Sequence, residues 1–359
     1  MEERLTKLWY RDDSGPSLLQ PLSWLYDAIV RLRRAAFEHG WLTTHRVGKP
    51  VIVVGNLTVG GTGKTPVAIW LARELSRRGL KVGIVSRGYG SQSQEGPRLV
   101  SAESSWQDVG DEPLLLSRRT GCITMVGRDR VAAARALVER KVDLVIADDG
   151  LQHLRLARDY EIVVIDGARG FGNRRMLPAG PLREPISRAA EADLLVVNGV
   201  VEHSSLTSVG LPTARAVQMT LVPGPAVRVD GVEGDRAASE GIPSGGVRTL
   251  EEFRGRPVHA VAGIGNPARF FRDLRARGLE VIEHPFPDHH AFTLGELSFA
   301  DDLPVLMTEK DAVKCARFAD PRWWFVPTEA VFAEAQAREL IDGVLRKIGP
   351  LTSSPEVGS

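Results

Sequence analysis

Apolar positions along the chain follow two rhythms. Between Pro16 and Trp41, Leu18, Leu22, Leu25, Ile29, Leu32 and Ala36 recur every three or four residues, the period of one face of a helix. Trp24, Tyr26, Phe37 and Trp41 add aromatic bulk, and Arg31, Arg33 and Arg34 cluster near the end of the segment. The pattern leaves two readings open. The apolar face packs on the domain behind it, or it lies in a membrane interface with arginines at anionic headgroups.

From residue 51 the rhythm changes to short runs that are apolar on both faces, separated by helical stretches. Val51–Val54, Val82–Val85, Leu144–Ala147, Ile162–Ile165 and Leu194–Val197 read as strands, with helices such as Pro66–Arg78 and Arg130–Arg140 between them. Strands buried on both faces and alternating with helices belong to a parallel sheet covered on both sides. The expected fold is therefore α/β, a doubly wound parallel sheet spanning residues 45–225 behind an N-terminal helical region, 1–44. Val229–Arg256 is rich in Gly, Ser, Glu and Arg without any period and reads as a connection. His259–Ile264 and Val305–Met307 are strand-like and Pro267–Arg277 is helical, ending at Gly278, so a second, smaller α/β domain is expected over 226–348. Residues 349–359 read as a disordered tail.

A length of 359 residues suits two domains. With 46 Lys plus Arg against 45 Asp plus Glu, the chain has no global field to hold a nucleic acid. No apolar run approaches the roughly 18–20 residues that span a bilayer. The start, Met-Glu-Glu-Arg-Leu-Thr-Lys, lacks a basic-then-apolar export pattern. The expected location is the cytoplasm or a membrane surface facing it. Cys122 and Cys315 are too few for a disulfide framework or a Cys-built metal site and read as packing residues. No obligatory protein partner is indicated.

The strongest chemical signal is Val51-Ile-Val-Val-Gly-Asn-Leu-Thr-Val-Gly-Gly-Thr-Gly-Lys-Thr-Pro66, a strand, a glycine-rich loop and a helix start. Phosphates need unobstructed backbone N–H groups, a cation at the terminal oxygens and a hydroxyl for Mg²⁺. Gly60, Gly61, Thr62 and Gly63, then Lys64, then Thr65 supply these in turn, and the helix entered at Pro66 adds its N-terminal dipole. Thr58 stands where the P-loop pattern has its first Gly. A bound Mg²⁺ calls for a carboxylate at the end of a neighbouring strand, and Leu144-Val-Ile-Ala-Asp-Asp149 offers Asp148 or Asp149. Guanine is commonly read by Asn/Thr-Lys-x-Asp, whereas Thr308-Glu-Lys-Asp311 has Lys and Asp adjacent, which favours ATP over GTP.

Three further groups carry candidate chemistry: Gly110-Asp111-Glu112-Pro113, His153 in Gly150-Leu-Gln-His153, and Asp288-His289-His290. Each alone is compatible with solvated surface groups. Beside a P-loop they suit phosphoryl transfer to an alcohol, which needs a carboxylate or base near the hydroxyl. His289–His290 as the start of a metal site is weaker, without a nearby Cys or a His at i+3 or i+4. Rival classes are another P-loop phosphotransferase or ligase and a nucleotide-driven switch. Such switches often place a Lys early in the loop, and Asn56-Leu-Thr-Val-Gly60 has none.

Taken together the motifs resemble the tetraacyldisaccharide 4′-kinase family of Gram-negative bacteria. The resemblance is carried by Val54–Pro66, Ser86-Arg-Gly-Tyr-Gly90, Gly110–Pro113, Asp148-Asp-Gly-Leu-Gln-His153 and Gly170-Phe-Gly-Asn173. It continues through Leu177-Pro-Ala-Gly-Pro-Leu-Arg-Glu-Pro185, Gly263-Ile-Gly-Asn-Pro267, Phe286-Pro-Asp-His-His290 and Thr308–Ala312. Thr58 belongs to that family's altered P-loop, and Arg174 stands where its pattern has Gly. The resemblance implies two α/β/α domains with the site in the cleft between them. It implies phosphorylation by ATP of the 4′-hydroxyl of a tetra-acylated glucosamine disaccharide 1-phosphate, at the cytoplasmic face of the inner membrane. Carried over by motif, Lys64 and Thr65 serve phosphates and Mg²⁺, and Asp148 and Asp149 serve the metal and the reacting phosphate. Asp111 faces the acceptor hydroxyl as base, His289 tunes it, and Glu112, His153, Arg183 and Glu184 support them. A lipid substrate that stays in the bilayer favours the membrane-facing reading of the N-terminal helix.

Overall fold

A computed structural model of the chain describes residues 9–10, 18–88, 96–101, 103–207, 216–229, 246–318 and 320–349. Pro16, Tyr89 and Gly90, most of the 229–256 connection, and the tail from 350 lie outside them. The strands are β1 (Val51–Gly55), β2 (Val82–Ser86), β3 (Arg98–Leu99), β4 (Ile123–Val126), β5 (Leu144–Asp148), β6 (Tyr160–Asp166), β7 (Leu194–Asn198) and β8 (Ala216–Pro223). They continue with β9 (Ala226–Arg228), β10 (Val247–Arg248), β11 (Val258–Ala262), β12 (Val281–Pro285), β13 (Val305–Thr308), β14 (Trp323–Val326) and β15 (Thr328–Phe332). Among the described residues, the helices of seven residues or more are α1 (Gln20–Glu38), α2 (Lys64–Arg77), α3 (Asp111–Thr120), α4 (Arg130–Glu139), α5 (Pro267–Ala276), α6 (Glu309–Cys315) and α7 (Glu334–Ile348).

The larger sheet has nine strands in the order β15-β8-β7-β6-β1-β5-β2-β4-β3. Its centre is parallel and every residue of β1, β2, β5 and β7 is buried, as expected when helices cover both faces. Alternate residues of β1 serve opposite layers. Ile52 and Val54 pack with Val67, Leu71 and Leu75 of α2, while Val51 and Val53 pack with Val131, Ala134 and Leu137 of α4. The second sheet has six strands in the order β10-β9-β14-β13-β11-β12, parallel at β14-β13-β11-β12 and antiparallel at β9 and β10.

The C-terminal boundary differs from the expected 226–348. β15 leaves the smaller sheet and pairs antiparallel with β8, Phe332 opposite Met219. Helix α7 then buries Leu340, Ile341 and Val344 in the larger core. The smaller domain thus ends near Pro327, where the Gly224 N–H donates to the Pro327 carbonyl at 2.8 Å and the two crossing segments lie side by side. A short strand followed by an amphipathic helix fits either sheet by periodicity. The uncovered edge of β8 decides which one it joins.

Between the domains, α3 packs on α6, and Val313 of α6 joins Val109, Leu114 and Val126 in a buried cluster. Arg119 at the end of α3 pairs with Glu309 at the start of α6 and with Glu329 on β15.

Helix α1 is amphipathic in the reverse of the usual sense. It meets the larger domain through Tyr26 and Val30, which pack on its core, and through Ser23, whose hydroxyl donates to the Met176 carbonyl at 2.9 Å and accepts from the Ala179 N–H at 2.9 Å. Leu18, Leu22, Trp24, Leu25, Ile29 and Leu32 instead face outward, each more than half exposed. Arg31 is engaged with Asp27, and Arg34 with Glu38 and Glu191. Among the described residues no helix is long and apolar enough to cross a membrane.

If α7 belongs to the larger core, Leu340→Ala should lower stability by about 2–5 kcal/mol. Hydrogen exchange should then quicken in β6–β8, and faster exchange confined to β11–β14 would contradict the assignment.

Candidate active site

The parallel register opposes Val54 to Asp148, so the P-loop and the Asp pair emerge together at the carboxyl ends of adjacent strands. After β1 the chain curls around Asn56, whose buried Nδ2 donates to the carbonyls of Thr58 at 2.6 Å and Gly60 at 3.4 Å. Thr58 forms a bridge with Leu182 and is not among the positive-φ residues, so a side chain there is unstrained. Gly63, the N-cap of α2, has φ +96°, and a β-carbon on it would meet the Asn198 amide nitrogen at 2.9 Å. No side chain caps α2, which leaves its first N–H groups for an anion. Lys64 Nζ donates to Asn56 Oδ1 at 3.1 Å and lies 3.5 Å from Asp149 Oδ1. Thr65 and Pro66 complete the first turn, where a proline costs no helix bond.

Asp148 is buried and its Oδ1 has no hydrogen-bond partner. Burial first, then the negative charges of Glu112 and Asp149, push its carboxyl up to about 7. An orphaned carboxylate oxygen beside a phosphate cradle suits a cation or its bound water. Asp149 sits at φ +47° and accepts from Arg183 Nη2 at 2.9 Å. Burial would raise its carboxyl, but Lys64 and Arg183 outweigh burial and hold it below the ordinary range. Among the described residues no three His, Cys, Asp or Glu form a closed metal cage. Mg²⁺ needs none, because it binds through one or two carboxylates together with substrate phosphates. Thr65, Asp148 and Asp149 fit that donor set.

Arg183 also donates to Asn56 Oδ1 at 2.8 Å and so ties the Leu177–Pro185 loop to the P-loop. Glu184 accepts from Gln152 at 3.0 Å and Arg188 at 3.2 Å, and Gln152 donates to the Asn56 carbonyl at 3.1 Å. His153 is pushed down to about 4 by burial and then by Arg130 and Arg158, so its ring is neutral, with Nε2 buried and unpartnered. Neither Glu184 nor His153 hydrogen-bonds to the Asp111–His289 pair.

That pair forms across the domain seam. Asp111 opens α3, nearly buried, and its Oδ2 lies 3.0 Å from His289 Nδ1, although 178 positions separate the residues. Burial would raise the Asp111 carboxyl, but the His289 hydrogen bond and the Lys310 charge hold it below its ordinary value. Burial works against a charged His289 ring, yet the bond to Asp111 leaves it above its usual value. His290 turns away to Glu296 at 3.0 Å, so the paired-histidine metal reading finds no geometry. The smaller domain also meets the P-loop at Gly265, where a β-carbon would come 3.1 Å from the Gly61 nitrogen.

The motifs did not assign Asn56, Asn198, Arg269 or Lys310 to the site. Arg269 reaches from α5 to Asn198 Oδ1 at 3.2 Å, and Asn198 donates to the Thr62 carbonyl at 3.0 Å. The signal for Asn198 was its place at the carboxyl end of a buried strand, and for Asn56 its place inside the glycine-rich loop.

Comparison with known proteins places the chain in a family. The family model described as tetraacyldisaccharide-1-P 4′-kinase matches residues 16–346. Tetraacyldisaccharide 4′-kinase of Alkalilimnicola ehrlichii is 48% identical over 351 residues, 97% of this chain and 99% of that protein. The protein of the same name from Ectopseudomonas mendocina is 48% identical over 330 residues, covering 92% and 93%. The crystal structure of LpxK from Aquifex aeolicus in complex with ATP is similar with a TM-score of 0.71 and 27% identity, covering 92% of this chain and 98% of that one. A family model matched over most of the chain, with relatives this similar along nearly their whole length, means that the chain belongs to the tetraacyldisaccharide-1-P 4′-kinase family.

Proposed function

We propose that this kinase transfers the γ-phosphate of ATP to the 4′-hydroxyl of tetraacyldisaccharide 1-phosphate, with Asp111 as the proton acceptor and His289 as its partner. The observation that carries this reading is the 3.0 Å contact of His289 Nδ1 with Asp111, in a seam where Gly265 also abuts the P-loop. The acceptor oxygen bonds to the γ-phosphorus as the bond to the bridging oxygen of ADP breaks, and the hydroxyl proton passes to an Asp111 oxygen. A loose transition state needs little prior deprotonation, so an ionised, positioned carboxylate is sufficient. Lys64 and the N–H groups of α2 stabilise charge on the transferring group. Mg²⁺ held by Thr65 with Asp148 or Asp149 would neutralise phosphate charge.

Peripheral association with the cytoplasmic face of the inner membrane completes the proposal. Its support is the outward apolar stripe of α1. Tyr26, on the same helix, donates its hydroxyl to the Arg183 carbonyl at 3.2 Å, and the Arg183 guanidinium holds Asp149. Lipid engagement and the phosphate-handling residues thus share one loop.

Three outcomes are expected. Lys64→Ala and Thr65→Ala should abolish turnover in assays with ATP, Mg²⁺ and the lipid acceptor while leaving the fold intact; near-normal turnover in either sinks the nucleotide assignment. Asp111→Ala and His289→Ala should each lower kcat by about 10²–10⁴ with much smaller changes in ATP KM. Their double variant should be little worse than the worse single, and fully additive losses would mean that the two act separately. Changing Trp24, Leu25 and Ile29 together to Ser should release the protein from vesicles, since each forfeits roughly 1.5–3 kcal/mol of apolar burial in lipid. Unchanged vesicle binding would remove α1 from the interface.

A further inference from the structure

Lys310 lies at the second position of α6, where the Thr308-Glu-Lys-Asp311 motif has otherwise supplied only a helix start. Its Nζ lies 3.1 Å from Glu112 Oε1, 3.1 Å from Asp288 Oδ1, 3.3 Å from His289 Nε2 and 3.9 Å from Asp111 Oδ2. The helix that carries it is firmly held. Thr308 caps it by accepting from the Asp311 N–H at 3.2 Å, and Asp311 accepts from the Gly263 N–H at 2.8 Å. Asp311 also pairs at 2.8 Å with Lys314, both side chains being fully buried.

An ammonium group has three donors and no acceptor. Its approach to His289 Nε2 is a hydrogen bond only when that nitrogen carries no proton. A neutral imidazole with an accepting Nε2 bears its proton on Nδ1, and Nδ1 is the atom that faces Asp111 at 3.0 Å. We propose that Lys310 is a positioning residue for the phosphoryl transfer, opposing a second proton on His289 so that the ring meets Asp111 as its neutral Nδ1–H tautomer and Asp111 keeps its strength as a carboxylate base. The proposal rests on the reading that Asp111 and His289 act on the acceptor hydroxyl.

The surrounding charges pull the ring both ways: against burial, the bond to Asp111 and the Asp288 charge leave it above its usual value, and the Lys310 ammonium opposes them. Among the described residues, Asp111 and Glu112 from α3, Asp288 from the His289 loop, and Lys310 and Lys314 from α6 are charged groups around the pair. Burial disfavours the Lys310 ammonium, but Glu112, Asp111 and Asp288 more than compensate and hold its pKa well above the usual lysine value. It is therefore charged at any working pH and opposes a second proton on His289. Without that charge the ring, left with Asp111 and Asp288, takes up the proton at higher pH, and Asp111 becomes the partner of an imidazolium and a weaker base.

Lys310→Met keeps the stem and removes the charge. At saturating ATP and Mg²⁺ its kcat near neutral pH should fall about 10-fold. The acid limb of its kcat–pH profile should move up by about one pH unit, with ATP KM within about threefold of wild type. Lys310→Arg should return the limb towards its original place. Nitrogen-15 NMR of histidine-labelled protein reads the ring directly: His289 should show a protonated Nδ1 and a bare Nε2 in the wild type, and a protonated Nε2 near neutral pH in Lys310→Met. A wild-type ring protonated on Nε2, or a folded Lys310→Met with an unmoved acid limb, overturns the proposal. Full turnover in Asp111→Ala and His289→Ala would overturn it together with the reading beneath it, whereas normal losses there with an unmoved limb overturn this inference alone. If Lys310→Met does not fold, the wild-type spectrum and the arginine variant decide.

Discussion

The packing of α3 against α6 is the contact on which the candidate site depends, because each helix begins with charged groups that meet across the seam. Asp111 and Glu112 open one, and Glu309 and Lys310 open the other. Val313, wedged against Val109 and Leu114, supplies the apolar part of the seam, at roughly 1.5–3 kcal/mol for a buried side chain of this kind. Arg119 supplies the polar part, bridging Glu309 and Glu329. Separated domains would leave Asp111 without His289, and the Asp111 carboxyl would lose both the hydrogen bond and the cation that keep it ionised in a buried place.

The site concentrates costs that the two cores must offset. Asp148 is buried with an unpartnered oxygen, and Asp149 and His289 both take positive φ, a backbone region that costs a non-glycine residue on the order of 1–3 kcal/mol. These features sit where a phosphate, a cation and a hydroxyl would have to be handled. Arg174 also takes a positive φ of 61°. Strain at Asp149 and His289 lies within the candidate site, and strain at Arg174 lies in a turn outside it.

The inverted arrangement of α1 follows the same economy. Ser23 and Tyr26 secure the helix to the Leu177–Pro185 region by hydrogen bonds, which need little area, and the large apolar residues remain free. A helix packed by its apolar stripe would gain more stability from the core, but no surface would be left for a lipid. One loop accepts a hydrogen bond from Tyr26 of α1 on one side and carries Arg183, which holds Asp149, on the other.

The nucleotide half of the site was legible in the sequence because it is local. A strand, the Gly60–Gly63 loop, Lys64 and a helix start are contiguous, and Asp148–Asp149 end a neighbouring strand of the same type. Backbone geometry and period determine such units over about 15 residues. The Asp111–His289 pairing entered only through family resemblance, since no local pattern links positions 178 apart. The tertiary structure alone decided three matters. β15 and α7 joined the larger sheet because β8 offered an open edge. The large apolar residues of α1 turned outward because Ser23, Tyr26 and Val30 form the face that fits the domain surface. Lys310, one lysine among 46 basic residues, gained its place because the seam converged three carboxylates and a histidine on its ammonium. Edge pairing, helix facing and charge convergence all depend on surfaces made by segments distant in sequence, and periodicity carries no information about them.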